Sequence, residues 1–509
     1  MERTKSQGPH NNEGKQAMTE VKIDIEHVPV ANDPRQWSPL KKTTVLVLIS
    51  SASMIVGIVS AIQNPAVQAM EQDLPATSDQ FSLSISLFAL VQGITPIAWS
   101  AISEIKGRKL VYLLSLVLVI VASIVIAVSP SIGLVIGFRC VQAMGTSAFL
   151  AIGAATLADI YEPHERGTKM GIYYTAPLLG PSLGPILGGG LTSGFGWRAI
   201  FWFCTIVSGV CLVAFFFLFN DTFRKERSLT YQAILKRRLQ ERCEKLQLDP
   251  ESKKEDVSAD AMSNWIDADE LGEVRITLRD VSPFKPIYLV LRRWNNVAIL
   301  IVTGVMMGWQ FLISYTIART LTSKYHYDAW KVGFTSLAYG IGCLFGSVIG
   351  GRLSDHMLRR MKAKNEGESQ PEIRLKSTVY SAFIFPIFVV AAGWVTQAHV
   401  HIAAVVVMLF GGGFFSVVMY SSMLAYIVDA NAGRSSSAVA TNSVFRGIFA
   451  FISTETAVPM QDHLGDGWMY TIWGGIVFLS GLLCIWTSYK GAEWRQRAEE
   501  RERTSIERT

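Results

Sequence analysis

Apolar positions in this chain fall into blocks of about 20 residues, separated by short polar runs. Twelve such blocks lie near residues 44–66, 80–100, 110–129, 132–157, 168–192, 198–219, 295–317, 332–351, 377–396, 401–426, 436–459 and 469–489. Each is long enough to cross a ~30 Å hydrocarbon core as a helix. Lipid offers no partner for a bare backbone amide or carbonyl, so helices are forced. The pattern predicts an all-α membrane protein with twelve transmembrane helices. A large soluble protein with buried helices would not repeat blocks of this length twelve times.

The fifth block contains "APLLGPSLGPILGGG", Ala176 to Gly190, with Pro177, Pro181 and Pro185 four residues apart beside Gly180, Gly184 and Gly188. In a water-exposed helix each interior Pro costs ~3 kcal/mol and each Gly about 1 kcal/mol relative to Ala. Inside a bundle, neighbouring helices or cavity water satisfy the carbonyl a proline frees, and small residues on one face admit close helix approach. The stretch therefore predicts a kinked membrane helix with a glycine face for tight packing.

The chain is 50% hydrophobic and 17% charged, and its charges crowd into the first 42 residues, the stretch 224–293, the run 352–376 and the region after Lys490. Short loops rich in Lys and Arg face the cytoplasm. Lys106, Arg108 and Lys109 follow the second block, Arg166 and Lys169 the fourth, and Arg352, Arg359, Arg360, Lys362, Lys364, Arg374 and Lys376 the eighth. Arg198, Arg319, Lys324 and Lys331 are exceptions on the opposite side. Both termini and the central loop then read as cytoplasmic. The expected organisation is a disordered N-terminal tail (1–42), a six-helix bundle (43–220), a cytoplasmic loop (221–293), a second bundle (294–489) and a C-terminal tail (490–509). The net charge of +6 belongs mostly to the inner loops and requires no nucleic-acid partner. No cysteine or histidine spacing suggests a disulfide framework or a metal site.

The two halves resemble each other. "SAISEIKGRK", from Ser100, and "GRLSDHMLRR", from Gly351, both place an acid and then bases after the second span of a half, aligning Glu104 with Asp355. Asp159 in "TLADIYEPHERG" answers Asp429 in "AYIVDANAGRSS", and "FGWRAIF" answers "DGWMYTI". The offset grows from about 250 to about 270 residues across the longer loop 357–376, as an insertion would require. Parallel repeats of this kind place a substrate site near the bilayer midplane, between the halves.

With these motifs in view, residues 40–490 resemble the major facilitator superfamily, and more narrowly the fungal twelve-span drug:proton antiporters of the quinidine-resistance-like branch. "SAISEIKGRK" is similar to the superfamily's loop motif, with Ser100 in place of its first Gly and Glu104 in place of its Asp. "GFRCVQAMGTSA" matches the fourth-span motif through Arg139, Gln142 and Gly145. "GPSLGPILGG" is similar to the fifth-span antiporter motif through Gly180, Pro181 and Gly184, with Pro185 where a second Gly is common. The resemblance implies the major facilitator fold, two pseudo-symmetric six-helix bundles, and export coupled to inward proton flow. It implies no cofactor, the proton gradient being the energy source.

Arg139 lies inside an apolar span, where a charge costs at least ~2.5–3.5 kcal/mol; the resemblance assigns it to proton coupling, and a structural ion pair is the alternative. Arg446 and Glu455 lie nine residues apart in the eleventh block, ~13.5 Å along a helix, too far to pair. Arg446 is expected to face the cavity and Glu455 to be a protonatable group nearer the outer end. The first span has no carboxylate; its polar pair is Gln63-Asn64. Gln142, Gln310, Tyr174 and Asn442 complete the expected substrate and proton pathway. Trp309, Tyr173, Tyr315, Tyr420 and Tyr426 are further aromatic candidates for a cavity lining. Glu104, Gly107, Arg108, Lys109 and Asp159, with Asp355 and Asp429 as counterparts, form the expected cytoplasmic gate.

The functional expectation is a proton-coupled exporter of drugs, organic acids or secondary metabolites, monomeric in the plasma membrane, with the vacuolar membrane as the alternative site. A facilitator or uptake carrier and a transporter-like receptor are the competing readings. No nucleophile, base or metal cluster supports an enzyme. Two mid-membrane arginines would favour an anionic substrate; if both are already paired with carbonyls, the pocket is apolar instead.

Overall fold

The computed structural model describes residues 32–224, 284–364, 370–431 and 435–507. Its helices belong to one compact unit, residues 34–223 and 275–509. The expected N-terminal tail and most of the central loop lie outside the described residues.

Twelve long helices appear where the apolar blocks lie. In the first half they are α1 (Pro39–Asp73), α2 (Ser78–Lys106), α3 (Arg108–Ala127), α4 (Ile132–Ile160), α5 (Pro163–Phe195) and α6 (Arg198–Leu218). In the second they are α7 (Trp294–Ser323), α8 (Ala329–Lys364), α9 (Val379–Gln397), α10 (Ile402–Ala430), α11 (435–464) and α12 (466–507). Gly465, at φ 75°, separates the last two. Short helices Phe284–Leu291 and Ile373–Lys376 precede α7 and α9. Strand direction has no role here; successive helices run antiparallel, so the starts of α1 and α7 and the end of α12 share one end of the molecule, the termini end.

Local chemistry sets the breaks. Pro39 opens α1 behind an N-cap Ser38, and Pro65 forces a 3-10 turn, Asn64–Ala66, before the last two turns of α1. Thr77 and Gln80 form a capping box at the start of α2, and Pro96 begins its second segment. The three prolines of α5 do not interrupt its 33 helical residues.

The molecule is apolar outside. On α6, Ile206, Val210, Val213 and Phe217 form one exposed stripe, while Cys204, Ser208, Cys211 and Phe215 are buried on the opposite face. This is the arrangement lipid permits and water does not. The buried apolar side chains form two cores, one in each half. Phe311, Tyr315, Ala450 and Val458 of the second half join the first core where the halves meet.

Glycine brings the backbones together. A Cβ added to Gly180 or Gly57 would land on the backbone of the other, and one on Gly188 would strike the Ile62 carbonyl. At Gly184 it would lie 3.0 Å from the Ile58 oxygen and 3.1 Å from the Ala61 Cβ. This glycine face packs α5 on α1. The adjoining face packs α5 on α8: Gly189 lies against Ala329, Gly333 against Pro185, and Gly340 against Ser182. Across the other seam between the halves, Gly93 of α2 meets Gly447 of α11. The far ends of α1, α2 and α5 therefore close against α7, α8 and α11.

These contacts order the cost of added methyl groups. Gly180→Ala must push backbone from backbone, an overpacking penalty of ~1–3 kcal/mol. Gly184→Ala needs only a shift of a few tenths of an ångström. Gly133→Ala and Gly137→Ala meet nothing within 4 Å and are expected within about 0.5 kcal/mol of wild type. Thermal unfolding of the purified variants in detergent measures the order.

Candidate functional site

Arg139 projects from the third turn of α4 and is fully buried. Its Nη1 donates to the Val59 carbonyl of α1 at 3.1 Å and to Gln142 Oε1 at 2.7 Å. Gln142 Nε2 donates onward to Ser123 Oγ of α3 at 2.8 Å. The guanidinium lies 4.1 Å from the centre of the Phe88 ring of α2. Arg139 thus ties α1, α2, α3 and α4 together. Its Nε and Nη2 have no partner among the described residues. A helix carbonyl, an amide and a ring enclose it.

Gln63, at the break in α1, is fully buried and neither of its amide atoms has a partner among the described residues. Asn64 beside it donates to Ser314 Oγ of α7 at 2.6 Å, which bridges the halves. Three more hydrogen bonds cross in the same region. Tyr315 donates to the Ser78 carbonyl at 3.2 Å, Ser82 to the Thr454 carbonyl at 2.8 Å, and Ser86 to Glu455 Oε1 at 2.5 Å. All four lie toward the far end. Glu455 is therefore held by α2 of the opposite half, and Arg446 is not its partner.

Arg446 is partly buried on α11. Its guanidinium lies 4.9 Å from the centre of the Tyr420 ring of α10, and Nη2 lies 3.2 Å from Met307 Sδ of α7. Gln310, one turn beyond Met307, is also partly exposed. Asn442 is buried and accepts from Thr303 at 2.6 Å, inside the second half. Tyr174 is exposed, its ring edge-on to Tyr173. Trp309, Tyr173 and Tyr426 are core residues: Trp309 packs on Phe385 and Tyr470, Tyr173 donates to the Phe149 carbonyl, and Tyr426 accepts from Asn295.

At the termini end the expected gate residues gather in two clusters. Arg108 Nε lies 3.3 Å from Asp159 Oδ2, its Nη1 donates to Ser103 Oγ, and its backbone N–H donates to Asp221 at 3.0 Å. Thr222 donates to Asp159 at 3.1 Å. Gly107, at φ 88°, leaves the space Asp221 occupies, since a Cβ there would fall on its carboxylate. Glu104 sits one turn before Arg108 and is partly buried. Lys109 turns away from this cluster and donates to the Phe216 carbonyl at 2.9 Å.

In the second half Arg374 joins Asp355 at 2.8 Å and Asp429 at 2.7 Å. Arg374 is the residue sequence reasoning missed. The repeat aligns Arg108 with Arg359, which instead turns back to its own helix at the Asp355 carbonyl. The base comes from Ile373–Lys376, in the inserted loop, where no repeat motif points to it. An ion-pair chain extends the cluster. Glu372 pairs with Arg495 at 3.0 Å, Arg495 and Arg293 both reach Glu499, and Arg293 pairs with Glu502 at 2.9 Å. The last turns of α12 are thereby fastened to the start of α7 and to the loop before α9.

The four bases that broke the expected loop asymmetry each have an acid beside them. Arg198 pairs with Asp73, Arg319 with Asp462 at 2.6 Å, Lys324 with the fully buried Asp466 at 2.8 Å, and Lys331 with Asp328 at 3.8 Å. Thr320 and Gln461 also donate to Asp466, a network sequence spacing did not reveal.

Comparison with known proteins agrees with this architecture. The profile of the Major Facilitator Superfamily matches residues 49–454. The chain is 29% identical to the MFS transporter cpaT of Aspergillus oryzae, over 94% of this chain and 92% of that protein. It is 25% identical to the MFS antiporter QDR3 of Candida albicans, over 92% and 80%, and 25% identical to Citrate exporter 1 of Aspergillus niger, over 91% and 88%. Twelve membrane helices in two repeated halves, with polar groups buried between helices and no enzyme among these relatives, place the chain in the Major Facilitator Superfamily, as a transporter of small molecules.

Proposed function

We propose that the protein is a proton-coupled antiporter that exports small organic compounds by alternating access. It acts as a monomer in the plasma membrane, with both termini cytoplasmic and with the domain boundaries expected from sequence. The observation that carries this reading is the polar seam at the far end, where four hydrogen bonds join the halves and Glu455 makes one of them. The relatives named antiporter and exporter favour efflux over uptake.

Alternating access must open the far seam and part the hydrogen bonds that cross it. Glu455 sits at the far seam, where the Ser86 hydrogen bond joins the halves. A carboxylate is a stronger acceptor than a carboxylic acid, so protonation of Glu455 from outside weakens this link and stores the inward proton. The two clusters, each tied within its own half here, are the cytoplasmic gate of this reading. An anionic solute is the favoured cargo, since the Arg446 guanidinium has a thioether and a ring beside it and no carboxylate among the described residues.

Proteoliposomes test the coupling. With an imposed inward proton gradient, wild type should concentrate substrate against its gradient, and Glu455→Gln should retain only equilibrative exchange. Concentrative flux that survives Glu455→Gln, or wild-type flux indifferent to the gradient, refutes this part.

The gate clusters separate by burial. Arg108 is 8% exposed in its side chain, whereas Asp355 and Asp429 beside Arg374 are 57% and 38% exposed. Arg108→Gln should cost ~1–3 kcal/mol, since it leaves Asp159 without its counter-ion. Arg374→Gln should cost about 1 kcal/mol or less in the better-screened cluster. Both should slow turnover, and melting temperature with single-turnover efflux distinguishes the two effects.

A further inference from the structure

We infer that the α2–α11 crossing carries a carboxylate-binding site built from Arg446 and Gln92, one residue from each half. The inference rests on the exporter reading and adds the place and chemistry of its cargo.

The crossing fixes the geometry. A Cβ built on Gly93 would lie 2.6 Å from the Ser443 carbonyl oxygen and 2.7 Å from Gly447 Cα. Gln92 precedes one contact glycine and Arg446 precedes the other. One residue back along a helix is a rotation of about 100°. The two helices run in opposite directions, so these rotations turn both side chains to the same side of the seam. The rise of ~1.5 Å per residue keeps them at nearly the same depth.

Both groups offer donors without acceptors. Gln92 Nε2 and Arg446 Nε are buried and have no partner among the described residues. A guanidinium can only donate. Arg108, Arg293, Arg319, Arg374 and Arg495 each have a carboxylate beside them, and Arg139 has a carbonyl and an amide. Arg446 has a thioether and a ring face. Its counter-ion is left for a ligand to supply.

A carboxylate suits the arrangement. It accepts two parallel bonds from a guanidinium fork, and the Tyr420 ring holds the fork's plane. The Gln92 amide adds a donor from the other half. An amine would meet a like charge and donors only. Because the two donors belong to different halves, a bound carboxylate bridges the seam and leaves when rocking draws Gln92 from Arg446.

The test is equilibrium binding to the purified full chain in nanodiscs without a proton gradient, by calorimetry. The probes are benzoate, succinate and citrate, each with its amide and an amine of matched size. At least one acid should bind and its amine should not. Its amide should bind about tenfold or more weakly, because the fork then lacks its charged partner. Arg446→Gln should abolish the preference for acid over amide, Arg446→Lys should restore part of it, and Gln92→Leu should weaken the acid several-fold. An unchanged residual affinity for the amide in Arg446→Gln shows that the site is still folded. If no acid binds wild type, if amines compete with acids, or if Arg446→Gln leaves acid affinity unchanged, the inference is overturned. Proton-driven efflux of an amine by a protein that binds no acid defeats this inference alone. Acid binding with gradient-independent flux defeats the coupling alone.

Discussion

The structure depends on backbone touching backbone at α5. On one face Gly180 and Gly188 settle onto Gly57 and Ile62 of α1; on the adjoining face Gly189 and Pro185 settle onto α8. Nothing softer lies between, so α5 is at once part of the first bundle and part of the wall between bundles. Lipid gives helices little hydrophobic reason to associate, and van der Waals contact at small residues must supply it. A seam made this way has few side-chain interdigitations to break, which suits a surface that must part and close again.

The opposite seam uses the same device with a chemical addition. Gly93 and Gly447 bring α2 and α11 together, and the neighbours of those glycines are polar. Ser82, Ser86, Gln92, Arg446 and Glu455 all lie on these two helices. One seam is therefore nearly inert, and the other carries two of the four hydrogen bonds that join the halves. Arg139 belongs to neither. Its bonds to Val59 and Gln142 and its ring contact with Phe88 are internal to the first bundle.

Much of this was legible in the residues. Apolar blocks marked the helices because lipid leaves the backbone no alternative, and the four-residue spacing of glycine in α5 marked a packing face. The acids Asp159, Asp355 and Asp429 were legible through the repeat. Arg374 was not, because its helix belongs to an insertion with no counterpart in the first half. The depth of a charge could be read along the sequence, but its enclosure could not: Arg139 and Arg446 look alike in sequence, and one is sealed while the other stands at a seam. Aromatic residues were equally silent, since Trp309 in a core and Tyr174 on a surface have the same apolar neighbours along the chain. The kink expected from three prolines did not interrupt the helix.

The continuation of α12 has a mechanical consequence. From residue 466 to residue 507 the helix is ~63 Å long at 1.5 Å per residue, about twice the hydrocarbon thickness. Ion pairs through Arg293, Arg495 and Glu372 fasten its last turns to the second half, so the whole rod moves with that bundle. It is a pointer attached to one bundle. A tilt of a few degrees in that bundle sweeps the pointer's tip through several ångströms, so a fluorophore there converts the rocking of the membrane region into a displacement readable in the aqueous phase.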